Sequence, residues 1–145
     1  MYKGDYSHSI DDKGRIIIPQ KFREALGDGF VITKGMDECL WILDLESWNK
    51  LEYKLRSMPV LDRKTRKIQM HFSASAVDGE TDKQGRLILP QSLRRYAGLG
   101  KEVVFCGMVN RIEIWDKQKY EDAEESPEDL EELAESMEGV TDISF

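Results

Sequence analysis

Residues 11–26, DDKGRIIIPQKFREAL, are matched by residues 82–97, DKQGRLILPQSLRRYA, at an offset of 71. Asp11/Asp82, Gly14/Gly85, Arg15/Arg86, Pro19/Pro90, Gln20/Gln91 and Arg23/Arg94 are identical pairs. The apolar positions recur too: Ile16–Ile18 over Leu87–Leu89, then Phe22/Leu93, Ala25/Tyr96 and Leu26/Ala97. One extra residue then enters the second copy, and Gly35/Gly107, Asp44/Asp116 and Trp48/Tyr120 match at an offset of 72. A period of this length means one structural unit built twice. A unit of about 70 residues is marginal alone, because so small a chain buries proportionally little surface. The two copies are therefore expected to share a core or to associate.

Each copy reads β–β–α–β–β with a trailing helix. A short strand (Tyr6–Ile10; Ala76–Thr81) leads to a turn rich in Asp, Lys and Gly, residues that tolerate positive φ or bond nearby backbone. A three-residue apolar run follows and ends at proline, which cannot donate to a ladder but suits a helix start. Phe22, Ala25 and Leu26, and likewise Leu93, Tyr96 and Ala97, fall at i, i+3, i+4 and predict one apolar helix face. Gly27, Gly98 and Gly100 close these helices. A hairpin comes next: Phe30–Thr33 with Leu40–Leu43, and Val103–Phe105 with Ile112–Trp115. Asp44 and Asp116 can cap the following helices. Four short strands and one helix close a core poorly, whereas two interleaved copies could close a small barrel.

Between the copies, Leu51, Leu55 and Met58 run at helical spacing to Pro59, and Asp62 can cap a second helix over 63–72 with Ile68 and Phe72 inward. Ser126-Pro127-Glu128-Asp129 predicts another helix start, with Leu130, Leu133 and Met137 as a thin apolar stripe and Gly139 as its end. The domains are then 5–47 for the first repeat, 48–75 for a helical hairpin, 76–119 for the second repeat and 120–145 for an acidic tail. Trp41, Trp48 and Trp115 are expected to pack in the core.

The net charge of −7 argues at first against a nucleic-acid partner. Its distribution reverses that. Residues 116–145 hold twelve Asp and Glu against two Lys, a net of −10, which leaves +3 on residues 1–115. The body is mildly basic, and the acidity belongs to one terminal segment.

Catalysis fits the sequence badly: no Gly-x-Ser-x-Gly, P-loop, His-Glu-x-x-His or dinucleotide fingerprint occurs. His8 and His71 are not repeat-equivalent, Cys39 and Cys106 lack Cys-x-x-Cys spacing, and neither pair predicts a metal site or a cofactor. Two thiols without a framework fit buried residues in a reducing cytoplasm. No stretch approaches a membrane span of about 18 apolar residues, and the first residues lack an apolar signal core. No membrane and no small-molecule substrate is expected.

The recurring polar feature is Asp-x-x-x-Arg: Asp11 with Arg15 and Asp82 with Arg86. Two readings stand side by side. In one, the carboxylate simply fixes the turn. In the other, Lys13 and Lys83 make the turns basic, and arginine's planar fork takes phosphate or the O6/N7 edge of guanine. The readings are compatible, since the Asp can orient an Arg that also meets DNA.

DDKGRIIIP and DKQGRLILP resemble the D-x-K-G-R-[VI]-x-[IVL]-P core of the SpoVT-AbrB family, and two tandem copies with a helical insert resemble its duplicated members. The resemblance covers about residues 1–120. It implies an α+β, β-rich, pseudo-two-fold swapped-hairpin barrel with flanking helices, in a ring-forming oligomer. It also implies a cytoplasmic, nucleoid-associated transcriptional repressor. Its partner would be double-stranded DNA, through short G-rich direct repeats at a bacterial division and cell-wall gene cluster that includes its own promoter. Carried over by position, Arg15 and Arg86 face DNA, Lys13 and Lys83 contact phosphate, and Asp11, Asp82, Gly14 and Gly85 orient the turns. Arg23 and Arg94 are secondary candidates. The second copy departs mildly: Gln84 stands over Lys13, and Lys83 over Asp12.

Two features lie outside that core. Lys54, Arg56, Arg63, Lys64, Arg66 and Lys67 form a second basic cluster, read as a solvated helix face, a further DNA contact or a seat for a neighbour's tail. The tail itself allows an alternative function, a protein-binding or antitoxin-like module with Leu130, Leu133, Met137 and Phe145 as its apolar anchors.

Overall fold

A computed structural model describes residues 1–137 of the chain. The first copy folds as β1 (Asp5–Ser9), β2 (Arg15–Ile17), α1 (Gln20–Leu26), β3 (Phe30–Lys34), β4 (Leu40–Asp44) and α2 (Leu45–Arg56). Helix α3 (Arg63–Gln69) then runs into a π-turn over Met70–Ala74. The second copy gives β5 (Val77–Asp78), β6 (Arg86–Ile88), α4 (Gln91–Ala97), β7 (Glu102–Gly107), β8 (Ile112–Asp116) and α5 (Lys117–Asp122), and α6 (Pro127–Ser136) follows.

The two copies are interleaved. Strand β1 pairs with β7 of the second copy, and β5 pairs with β3 of the first. The main sheet has the order β1-β7-β8-β4-β3-β5, which reads the same when each strand is exchanged for its repeat-equivalent. Strands β2 and β6 form a separate two-stranded ribbon. A pseudo-two-fold axis therefore passes between two antiparallel pairs of repeat-equivalent strands. Ile16 faces Leu87 on the ribbon, and Trp41 faces Glu113 on the sheet. The expected closed barrel is not formed among the described residues: pairing leaves β1 and β5 as edges, and the ribbon is a separate pair of strands, tied to the chain beyond β5 where the Ile88 N–H donates to the Glu80 carbonyl.

Ribbon and sheet meet through one core. Ile16, Ile18, Leu87 and Leu89 pack with Ile32, Leu40, Ile42, Phe105, Ile112 and Ile114, all essentially without exposure. Burying each side chain of this size is worth roughly 1.5–3 kcal/mol, and each copy supplies half of the wall around the other. Phe22, Leu26, Leu93 and Ala97 close the core from α1 and α4.

Local chemistry places the helix ends. Pro19 and Pro90 immediately precede α1 and α4 with φ of −50° and −57°. Asp44, Asp62, Asp116 and Ser126 each accept a backbone N–H at the start of α2, α3, α5 and α6. Gly27 and Gly98 end α1 and α4 at positive φ.

Several expectations need correction. Strand β5 is two residues long rather than six, because the chain passes under the Phe30 ring at Gly79, where a Cβ would come within 2.0 Å of that ring. Helix α3 stops at Gln69, and Ile68 points to solvent; the inward residues are Thr65, which is buried, and Gln69, whose Nε2 donates to the Leu55 carbonyl. Phe72 lies on the π-turn and stacks on Trp41. The turn is pinned to β3 because Thr33 Oγ1 donates to the Phe72 carbonyl at 2.6 Å. Ala25 is exposed. The tryptophans are half-buried beneath covering elements and do not enter the central core. Helix α6 ends at Ser136, and Gly139 and Phe145 lie outside the described residues.

Candidate nucleic-acid interface

The two Asp-x-x-x-Arg turns have the same construction. Asp11 Oδ1 accepts the backbone N–H of Lys13 and of Arg15, both at 2.9 Å, and Asp11 Oδ2 accepts Arg15 Nε at 2.6 Å. Asp82 Oδ1 accepts the N–H of Gln84 and Arg86, both at 2.9 Å, and its Oδ2 accepts Arg86 Nε at 2.8 Å. Gly14 (φ 79°) and Gly85 (φ 77°) supply the left-handed residue that lets the chain double back, a conformation costly for any side chain with a Cβ. Residue types therefore dictate the loop: an acceptor at position 1, glycine at position 4, arginine at position 5.

These bonds hold the carboxylates charged. The Arg15 backbone N–H, followed by its guanidinium and the Lys13 N–H, keeps the Asp11 carboxyl below the usual range. Asp82 is held down in the same way, first by the Arg86 backbone N–H.

The ribbon brings the turns together. Arg86 Nη1 lies 3.7 Å from Asp11 Oδ2, so the second turn's guanidinium reaches the first turn's carboxylate across the pseudo-two-fold axis. Each Arg Nε is occupied by its own Asp, which fixes the plane of each guanidinium while leaving about a third of each arginine side chain exposed. Strand alternation puts Ile16 and Leu87 inside and leaves Arg15, Ile17, Arg86 and Ile88 on the outer face. Ile17 and Ile88 are 48% and 40% exposed, unusual for isoleucine flanked by two arginines. Three consecutive apolar residues in each copy, Ile16–Ile18 and Leu87–Leu89, conceal that the middle one faces out. Period-two alternation is the signal that finds them.

Lys13 and Lys83 are exposed at the tips of the turns. Arg23 and Arg94 lie elsewhere than on the ribbon face. Arg94 crosses to the first copy's turn, where a Cβ on Gly14 would meet its Nε at 2.7 Å, and that Nε donates to the Leu89 carbonyl at 3.0 Å. Arg23 crosses to Gly85 more loosely, at 3.3 Å. The helices thus brace the opposite turns.

Other polar groups are absorbed by packing. His8 meets Phe105 edge-on, His71 Nε2 is 2.8 Å from the Gly35 carbonyl oxygen, and Cys39 and Cys106 are buried thiols. Glu113, on the axis at the far side, is buried and receives Arg111 Nε and Trp115 Nε1. Among the described residues, no helix is long and apolar enough to cross a membrane.

A two-stranded ribbon has the width of the DNA major groove, and its outer face here offers two oriented guanidiniums beside two apolar methyl-bearing chains. Comparison with known proteins adds the family. A family model described as "MraZ protein, putative antitoxin-like" matches the chain twice, over residues 1–71 and 72–140. A protein of Acetivibrio thermocellus named Transcriptional regulator MraZ is 53% identical over 121 residues, covering 83% of this chain and 85% of its own length. One of the same name from Clostridium tetani is 44% identical over 137 residues, covering 94% and 96%.

Proposed function

The chain belongs to the MraZ family, and from that premise we propose that it is a transcriptional regulator that binds double-stranded DNA through the outer face of the β2–β6 ribbon. The observation that carries this reading is the pair of Asp-oriented arginines held side by side, with the Arg86 guanidinium 3.7 Å from Asp11. Arg15 and Arg86 donate end-on to guanine edges, Ile17 and Ile88 meet thymine methyls, and Lys13 and Lys83 take phosphates. The structure of the turns supports preorganisation, since no guanidinium has to be immobilised on binding.

The protein acts in the cytoplasm on the nucleoid, as a repressor of a division and cell-wall gene cluster that includes its own promoter. It reads short G-rich direct repeats and has no catalytic step. One ribbon is a small binding surface. A ring of subunits multiplies it by presenting several ribbons to successive repeats at high effective concentration.

Footprinting on the DNA upstream of the gene, at several salt concentrations, tests the reading. Wild type protects repeated short sites, and affinity falls steeply with salt as phosphate counterions are released. Arg15→Ala and Arg86→Ala each lose about 1–3 kcal/mol of specific binding, roughly 5–150-fold, with unchanged far-UV circular dichroism. Full protection by both variants would exclude the ribbon as the reading surface.

A further inference from the structure

Helix α6 stands apart from the body. Every residue of it except Ala134 is exposed, and the hydrogen bonds it makes are local, such as the Asp129 N–H donating to Ser126 Oγ. A ten-residue helix is marginal in water without a packing partner. Its charges make it worse: Glu128–Glu132 and Glu131–Glu135 are like-charge i,i+4 pairs, and Glu135 sits at the C-terminal end, where the dipole favours cations. Yet it carries an ordered apolar stripe, with Leu130, Leu133 and Met137 each more than half exposed.

Helix α3 has the opposite imbalance. Arg63 and Lys64 occupy its N-terminal turn, where the dipole favours anions, and Arg63–Lys67 is a like-charge i,i+4 pair. Thr65 and Gln69 face the protein, so Lys64, Lys67 and Ile68 face solvent, continuous with Leu61 at 93% exposure. Apolar side chains among these cations favour a protein surface over phosphate as the occupant.

We propose that α6 of one copy docks antiparallel on α3 of a second copy. Leu130 covers Ile68 and Met137 covers Leu61, with Leu133 between them, and Glu131 and Glu135 lie opposite Lys67 and Lys64. The antiparallel sense places the acidic C-terminal end of α6 at the basic N-terminal end of α3, so each helix neutralises the other's unfavourable terminus. Within one chain α6 leaves α3 uncovered, although both are present; a second copy supplies each with its partner. The contact is heterologous, with one donor and one acceptor per chain, and so propagates or closes through further copies. It does not depend on the DNA-binding reading.

The test mixes two differently tagged full-length chains without DNA, one carrying Ile68→Cys and the other Leu130→Cys, under mild oxidation. A disulfide between the two tags, located by mass spectrometry, is expected. Lys64→Glu with Lys67→Glu should reduce its yield roughly tenfold, and adding Glu131→Lys with Glu135→Lys should restore it. Independently, Leu130→Asp with Leu133→Asp should lower the sedimentation mass by half or more. All these positions are exposed, so folding is checked simply by circular dichroism. Absence of the inter-tag disulfide, a link formed only within one chain in the Ile68→Cys/Leu130→Cys double variant, or an unchanged mass would each overturn the proposal.

Discussion

Gly14 and Gly85 occupy equivalent places, with φ of 79° and 77°, yet their replacement by alanine should have different consequences. Both substitutions force an L-residue into the left-handed region, which costs about 1–2 kcal/mol. At Gly85 little else happens, because the nearest atom to the new Cβ is Arg23 Nη1 at 3.3 Å, the free end of a flexible side chain. At Gly14 the Cβ meets Arg94 Nε at 2.7 Å and the Leu89 carbonyl oxygen at 2.8 Å. Those two atoms are bonded to each other at 3.0 Å. The backbone oxygen cannot retreat, since the Leu89 N–H is itself held by the Gly14 carbonyl at 2.9 Å. Arg94 must leave, and losing a hydrogen bond from a charged group costs about 1.5–3 kcal/mol more. Gly85→Ala should therefore destabilise by about 1–2 kcal/mol and Gly14→Ala by about 2.5–5 kcal/mol. Urea unfolding at one fixed protein concentration reads the difference as midpoints separated by roughly 1 M. Equal midpoints for the two variants would refute the claim that Arg94 braces the first turn more tightly than Arg23 braces the second.

Other outcomes follow from particular contacts. Lys13→Ala and Lys83→Ala should each lower the slope of log affinity against log salt by about 1 while leaving site preference unchanged, measured by fluorescence anisotropy. Asp11 and Asp82 have depressed pKa values, so their contribution to stability is full above the unfolded value near 3.9 and is lost as pH falls through the lower folded values; carboxyl carbon NMR should place both midpoints below that value. Thr33→Val removes the hydroxyl that bonds the Phe72 carbonyl and Ser75 Oγ and should cost about 1–3 kcal/mol in urea unfolding. Val109 is β-branched at φ 64° and mostly exposed, so Val109→Gly should raise the melting temperature by a few degrees, about 1 kcal/mol of relieved strain.

What was legible in the chain is what short-range chemistry decides. The hairpins, the capping aspartates and the glycine helix ends follow from residues close together in the chain, and the duplication follows from comparing residues 71 apart. Strand exchange is a choice of distant partner: β1 meets β7 across 93 residues at the Ser9–Glu102 contact, and nothing near Ser9 specifies it. Two interleaved copies predict a closed barrel, but β2 and β6 pair with each other as a separate ribbon and leave the main sheet open, a choice of partner made across 71 residues. The spacing of Ile68 and Phe72 predicts both inward, but the π-turn after Gln69 rotates Phe72 onto Trp41 and leaves Ile68 exposed. On the ribbon, alternation was the better guide, and three consecutive apolar residues concealed it.

The fused repeat also bears on how a regulator of this kind reads DNA. Two identical subunits about a true two-fold axis present identical turns and so match a palindrome. Here the axis relates Ile16 to Leu87 and Trp41 to Glu113, so chemistry differs at the axis itself. It differs at the tips as well, where Lys13 is replaced by Gln84 and Asp12 by Lys83. The brace over the first turn is a hydrogen-bonded arginine, whereas the one over the second is loose. A ribbon built this way has a direction. If copies associate as proposed, an asymmetric half-site repeated in one orientation would let each place its first turn on the same bases, which a palindrome would deny to half of them. Exchanging the tip residues, with Lys13→Gln and Gln84→Lys in one chain, tests this directly: the preferred orientation of the site relative to the protein should weaken or invert in a footprint, and an unchanged pattern would show that tip chemistry does not set direction.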